Sequence, residues 1–86
     1  MKEQNKTKYE QVGLNLIYYR KKGKMTQFEL AEQADVDRST ISAIERGSVG
    51  ISLDMIFILA DVLKIDPADL IRLNTGIDIQ SIYERD

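Results

Sequence analysis

The sequence contains no cysteine and no histidine. Without thiolates it has neither a disulfide framework nor a cysteine-based metal site to hold it together. Without imidazoles it lacks the side chain most often used as a general base or metal ligand near neutral pH. No nucleophile–base pair can be assembled from what remains, and no metal-ligand cluster stands out. An enzyme is therefore excluded as a reading, and no metal or cofactor is expected. Long apolar runs are missing too. The longest, Met55 to Ala60, is far too short to span a bilayer. The opening MKEQNKTKYEQ has no apolar centre and does not read as a signal peptide. Linkers rich in glycine or proline and low-complexity tracts are absent as well. What is left is a cytoplasmic chain of 86 residues, one small domain stabilised by burying its apolar side chains.

Charge is scarce in net terms, at −2, but it is unevenly placed. Residues 1–50 carry nine Lys/Arg against seven Asp/Glu, a balance of +2; residues 51–86 carry three against seven, or −4. The front half can meet an anion and the back half avoids one.

What the sequence does have is helix punctuation. MTQFEL offers Thr26 as an N-cap with Glu29 three residues on, a capping box, flanked by Met25 and Leu30 as a hydrophobic staple. The same apolar, cap, apolar spacing recurs at Val36, Asp37, Ile41; at Ile51, Ser52, Ile56; and at Ile65, Asp66, Leu70. Pro67 follows Asp66 at the first helical position, where its missing N–H costs nothing. Helix starts are thus expected near 27, 38, 53 and 67. An earlier helix is expected from a capping box at Thr7 and Glu10. Tyr9, Val12, Leu16 and Tyr19 form its apolar face. Gly23, Gly47 and Gly76 are placed to end helices. The expected fold is all-α: five short helices, with residues 1–8 a flexible lead, 9–74 the domain and 75–86 a tail.

Residues 27–46 have an internal logic. Helices over 27–34 and 38–46 are separated only by Asp35, Val36 and Asp37, which forces a steep crossing. Ala31 supplies the small residue such a crossing needs. Leu30, Ala34, Val36, Ile41 and Ile44 point inward. The outward positions of the second helix are Arg38, Ser39, Ser42, Ala43 and Arg46, none of them a large apolar residue. A helix dressed in this way fits deep into a DNA major groove. Arg38 suits a bidentate grip on guanine or a phosphate contact. Ser39 can reach a base edge or a phosphate. Ala43 can touch a thymine methyl or simply leave room, and with Ser42 it reads alternatively as neutral surface. Thr40 and Arg46 are phosphate candidates. Gln27 opens a helix whose N–H groups and dipole favour a phosphate. RKKGK, Arg20 to Lys24, reads as a solvated charge run.

Four features together resemble the phage-repressor (Cro/Xre-like) helix-turn-helix family: Thr26-Gln27, ELA at 29–31, STISAIERG at 39–47, and SLDMIFILADVL at 52–63. The resemblance runs from about Val12 to Ile71. It implies a five-helix domain whose third helix reads double-stranded DNA. It supports a phosphate role for Gln27, and it implies an ion pair between Arg20 and Glu45. Two departures stand out: Asp35 occupies a turn position where the general pattern prefers glycine, and the overall charge is acidic.

The fourth helix is more apolar than one core face requires. Leu53, Ile56, Leu59, Ala60 and Leu63 cover that face, and Met55, Ile58 and Val62 form a second stripe. The tail adds Ile77, Ile79, Ile82 and Tyr83. These seven residues are the expected seam of a homodimer. Ile77, Asp78 and Ile82 repeat the staple pattern of a short sixth helix, whereas alternation of Ile77 and Ile79 suits a strand. The leading functional reading is a sequence-specific transcriptional regulator, dimeric on a pseudo-palindromic operator, with 38–46 in the major groove. A restriction–modification controller, an antitoxin, or a protein-interaction adaptor on the same fold are the alternatives. No membrane partner or small-molecule ligand is expected.

Overall fold

The computed structural model describes residues 1–83, Tyr83 by its backbone alone. All regular secondary structure among the described residues is helical. A 3-10 turn at Glu3–Asn5 leads into α1 (Lys6–Lys22). It is followed by α2 (Gln27–Ala34), α3 (Arg38–Glu45), α4 (Leu53–Leu63), α5 (Pro67–Ile71) and α6 (Ile79–Tyr83).

The junctions explain why short helices suffice. Met25, Val36 and Ile65 each donate an N–H back over five residues, to the carbonyls of Arg20, Ala31 and Ala60 at 3.0–3.1 Å. Each follows a residue in the left-handed region: Lys24 (φ 60), Asp35 (φ 59) and Lys64 (φ 60). This is the Schellman closure of a helix C-terminus. The same three apolar residues then precede the next cap. One side chain thus closes a helix and helps to start another, and all three pack against the core. Ser48 makes the equivalent bond to Ala43 past Gly47, whose φ is 70.

Several expectations meet a different geometry. The capping box at Thr7 and Glu10 does not form. The 3-10 turn feeds α1 directly, with Asn5 as its cap, so Thr7 and Glu10 lie inside the helix and residues 3–8 are helical. Thr26 and Glu29 do form their reciprocal box, and Ser52 and Asp66 accept from the N–H groups of Met55 and Ala68. Asp37 makes no side-chain cap bond. Gly23 ends α1, but Lys24 takes the left-handed conformation. α5 stops at Ile71, and Gly76 (φ 75) belongs to the connection to α6.

The core is a single cluster. Val12 and Leu16 of α1 meet Leu30, Ala31 and Ala34 of α2, Ile41 and Ile44 of α3, Ile56, Leu59 and Ala60 of α4, and Leu70 of α5. The helix-turn-helix pair α2–α3 sits on α1 through α3 and on α4 through α2. α1 and α3 approach unusually closely, at two glycines. A β-carbon at Gly13 would lie 2.5 Å from the Glu45 carbonyl oxygen, and one at Gly47 would lie 2.6 Å from the Glu10 Cα.

The apolar seam expected for a dimer is redistributed. Leu53, expected on the core face, is 63% exposed. Met55 and Val62, assigned to the outer stripe, are partly buried against the core. The exposed face of α4 is instead Leu53, Phe57 and Ile58, flanked by Asp54 and Asp61. Packing partners decide which side of an evenly apolar helix turns inward, and periodicity alone places that side only to within about one residue. Within the described part of the tail, Ile79–Tyr83 is a helix rather than a strand. It packs on α1, not on α4. Ile82 is buried within its own chain, so it is removed from the seam. Ile77 is half-buried, Ile79 is exposed, and the Tyr83 side chain lies outside the described residues.

Candidate nucleic-acid interface

α3 buries Ile41, Ile44 and Glu45 and turns Arg38, Ser39 and Arg46 to solvent, with Ser42 and Ala43 half-buried between them. These five positions share one face at 100° per residue. The face is narrow and free of large apolar groups, so the helix backbone can approach a base edge closely. Arg46 donates to the Ser42 hydroxyl, one turn back along the same face.

Thr40 lies elsewhere. It opens onto a shallow concavity shared with Glu32, Asp35, Val36 and Asp37. Three carboxylates there repel phosphate, so Thr40 is separated from the cationic positions by its surroundings.

Behind the exposed face lies a connected polar chain. The Arg20 guanidinium donates to Glu45 twice, Nε to Oε2 at 2.6 Å and Nη2 to Oε1 at 3.1 Å, and Nη1 donates to the Met25 carbonyl at 2.8 Å. Both side chains are almost fully buried. The pair joins α1 to the last turn of α3, and the third bond fixes the α1–α2 junction. Gln27 Nε2 then donates to Glu45 Oε1 at 2.8 Å, and Arg38 Nη1 donates to Gln27 Oε1 at 2.9 Å. Both heavy atoms of the Gln27 amide are therefore engaged within the protein, leaving one N–H unspent. In the sequence, Gln27, Arg38 and the Arg20–Glu45 pair stand apart. Their spacings of 11 and 18 residues carry no local signal; only the crossing of α2 over α3 brings them together.

A second polar group was not anticipated. Asn15 is fully buried and donates to the carbonyls of Leu70 (3.0 Å) and Arg72 (2.8 Å). Gln11 donates to Asn15 Oδ1, Thr75 Oγ1 and the Ile77 carbonyl. Together they fasten the end of α5 and the connection to α6 onto α1. The available signal was an asparagine at the edge of the apolar face formed by Val12, Leu16 and Tyr19, next to Tyr19. Among the described residues no buried side-chain polar atom lacks a partner. None of their acidic groups cluster in a metal-holding arrangement, and no helix is long and apolar enough to cross a membrane.

The helix-turn-helix family model matches residues 16–70. The control protein C.BamHI of Bacillus amyloliquefaciens is 41% identical over 54 residues, which span 63% of this chain and 67% of that protein. The crystal structure of the restriction-modification controller protein C.AhdI from Aeromonas hydrophila is similar with a TM-score of 0.76 at 31% identity. The match covers 79% of this chain and 99% of that one. A hypothetical transcription factor, NHTF from Neisseria, matches with a TM-score of 0.72 at 28% identity, over 86% of this chain and 83% of that one.

Proposed function

This chain belongs to the Cro/Xre-like helix-turn-helix family of DNA-binding transcriptional regulators, and on that premise we propose that it is a dimeric operator-binding regulator of the restriction–modification controller kind. The observation that carries the reading is the exposed face of α3, small and polar at its centre with an arginine at each end. In this reading α3 enters the major groove. Arg38, Ser39, Ser42 and Ala43 face the base edges, and Arg46 faces a phosphate. Gln27 opens α2, and the N-terminal N–H groups there face the backbone. Local positive charge and helix shape suffice here, so an acidic chain is no obstacle.

One such head reads too few base pairs to select a site in a genome. Two copies must therefore present their α3 helices about 34 Å apart, one turn of the duplex. The surface available for joining them is the Leu53, Phe57 and Ile58 face of α4. The relatives named as control proteins support assigning the operator to a restriction–modification locus.

Selection of binding sites from random duplex DNA tests the reading. The expected result is one enriched pseudo-palindrome whose affinity falls steeply as salt rises. Arg38→Ala is expected to erase preference at one base pair per half-site, at a cost of about 1–3 kcal/mol on the selected site. Enrichment of no sequence at low salt would overturn it.

A further inference from the structure

The polar chain Arg20, Glu45, Gln27, Arg38 runs from the interior to the entrance of the reading helix without a break. Its chemistry is directional. A carboxylate can only accept, so Glu45 dictates that Gln27 presents its NH2 inward. With the NH2 turned in, the amide oxygen must face outward, where it accepts from the Arg38 guanidinium. Glu45 is itself held by two bonds from Arg20 in a nearly dry site, so it has little freedom to relax. An amide has two faces and cannot satisfy both neighbours if either one is inverted.

We infer that Glu45 is a specificity-positioning residue. Through the orientation of the Gln27 amide it holds Arg38 in the geometry with which that arginine reads a base pair. The inference rests on the DNA-reading role proposed above. It adds that a buried group which cannot touch DNA governs discrimination at one position of the site. Arg46 stands outside the chain, bonded to Ser42, and is not under this control.

Glu45→Gln inverts the relay. If its carbonyl keeps Arg20, its NH2 confronts the Gln27 NH2. Gln27 then turns over and presents donors to the donors of Arg38, which is released. Gln27→Ala severs the relay at a half-buried site and leaves the Arg20–Glu45 pair intact, so it tests the idea even should Glu45→Gln fold poorly.

The experiment is a base-by-base specificity profile of the full chain on its selected duplex, below the melting point of each variant. Arg38→Ala first identifies the base pair that Arg38 reads. Gln27→Ala and Glu45→Gln are each expected to lower discrimination at that pair by about tenfold, the scale of one bidentate contact. Ratios at other positions should stay unchanged. Glu45→Gln should add nothing further in a Gln27→Ala background. Discrimination at the Arg38 base pair that stays at the wild-type level, whatever the overall loss of affinity, or an additive double variant, overturns the inference and leaves Glu45 a purely structural residue and Gln27 a phosphate contact only. A wild-type chain that selects no sequence overturns the DNA reading itself and this inference with it.

Discussion

Gly13 of α1 lies against the backbone of Glu45 in α3, so close that a β-carbon would stand 2.5 Å from the Glu45 carbonyl oxygen and 2.6 Å from that of Ile44. These are backbone atoms and cannot swing aside. Gly13→Ala gains about 1 kcal/mol of helix propensity in α1. It must also push α3 outward, and overpacking of this kind costs about 1–3 kcal/mol. The net expectation is a lower melting temperature together with weaker binding to the selected duplex, because α3 is the element displaced. Calorimetry and a binding titration on one preparation check both.

Glu45→Ala should destabilise the fold well beyond Glu32→Ala. Glu32 is exposed, whereas Glu45 accepts three hydrogen bonds, two of them from the buried Arg20. Breaking one side of a buried pair costs about 3–5 kcal/mol. The surviving bond from Arg20 to the Met25 carbonyl moderates the loss. Thermal melts of the two variants decide, and equal melting temperatures would mean that the buried pair adds no net stability.

Asn15→Ala removes the donors to the Leu70 and Arg72 carbonyls and leaves the buried one, that of Leu70, without a partner. Unsatisfied buried groups cost about 1–3 kcal/mol each. Because Asn15 and Gln11 fasten the chain after α5, the loss should appear first in α6. Hydrogen exchange at the Ile82 amide, bonded to the Asp78 carbonyl, should accelerate more than exchange at Leu30. Parallel acceleration at both sites would show a global rather than a local effect.

Acid should loosen the same helix. The Asp78 carboxyl is held below its ordinary value of 3.8, chiefly by the Ser81 backbone N–H and then by the Ser81 side chain. A depressed folded-state value means that the carboxylate adds stability above pH 3.8 and loses it as pH falls through the lower, folded-state value. Unfolding of α6 should therefore begin below about pH 3.8, ahead of the α2–α3 core. NMR-detected titration of Ser81 and Ile82 against Ile41 measures the order. Asp78→Asn should abolish the difference.

Ile58→Glu and Ile82→Glu should behave differently. Ile58 lies on the open face of α4, so its substitution should leave helical content intact and weaken self-association at micromolar concentration. Ile82 is 5% exposed, so a glutamate there should detach α6 from α1. Sedimentation and circular dichroism separate the two. An Ile58→Glu chain that associates as strongly as wild type would remove α4 from the seam.

The starts of α2, α4 and α5 were legible in the sequence because they are settled locally. Thr26 with Glu29, Ser52, and Asp66 with Pro67 satisfy N–H groups within three residues of themselves, so neighbouring residues contain the whole interaction. The inward set Leu30, Ala31, Ala34, Ile41 and Ile44 was legible too, since a three-residue turn leaves two short amphipathic helices one way to bury their faces. The direction taken by α4 was not. A helix apolar on most sides is turned by what packs on it, here α2 and α5, and so Leu53 faces water while Met55 and Val62 face the core. Nor was the fate of the tail legible, because Ile82 reaches its buried place through a connection that Asn15 and Gln11 fasten to α1 from far away in sequence. The family resemblance implied the Arg20–Glu45 pair, but its continuation through Gln27 to Arg38 belongs to tertiary structure. Each residue is unremarkable in its own stretch of chain. Hydrogen bonds act over about 3 Å, and only the stacking of three helices brings four side chains within that range.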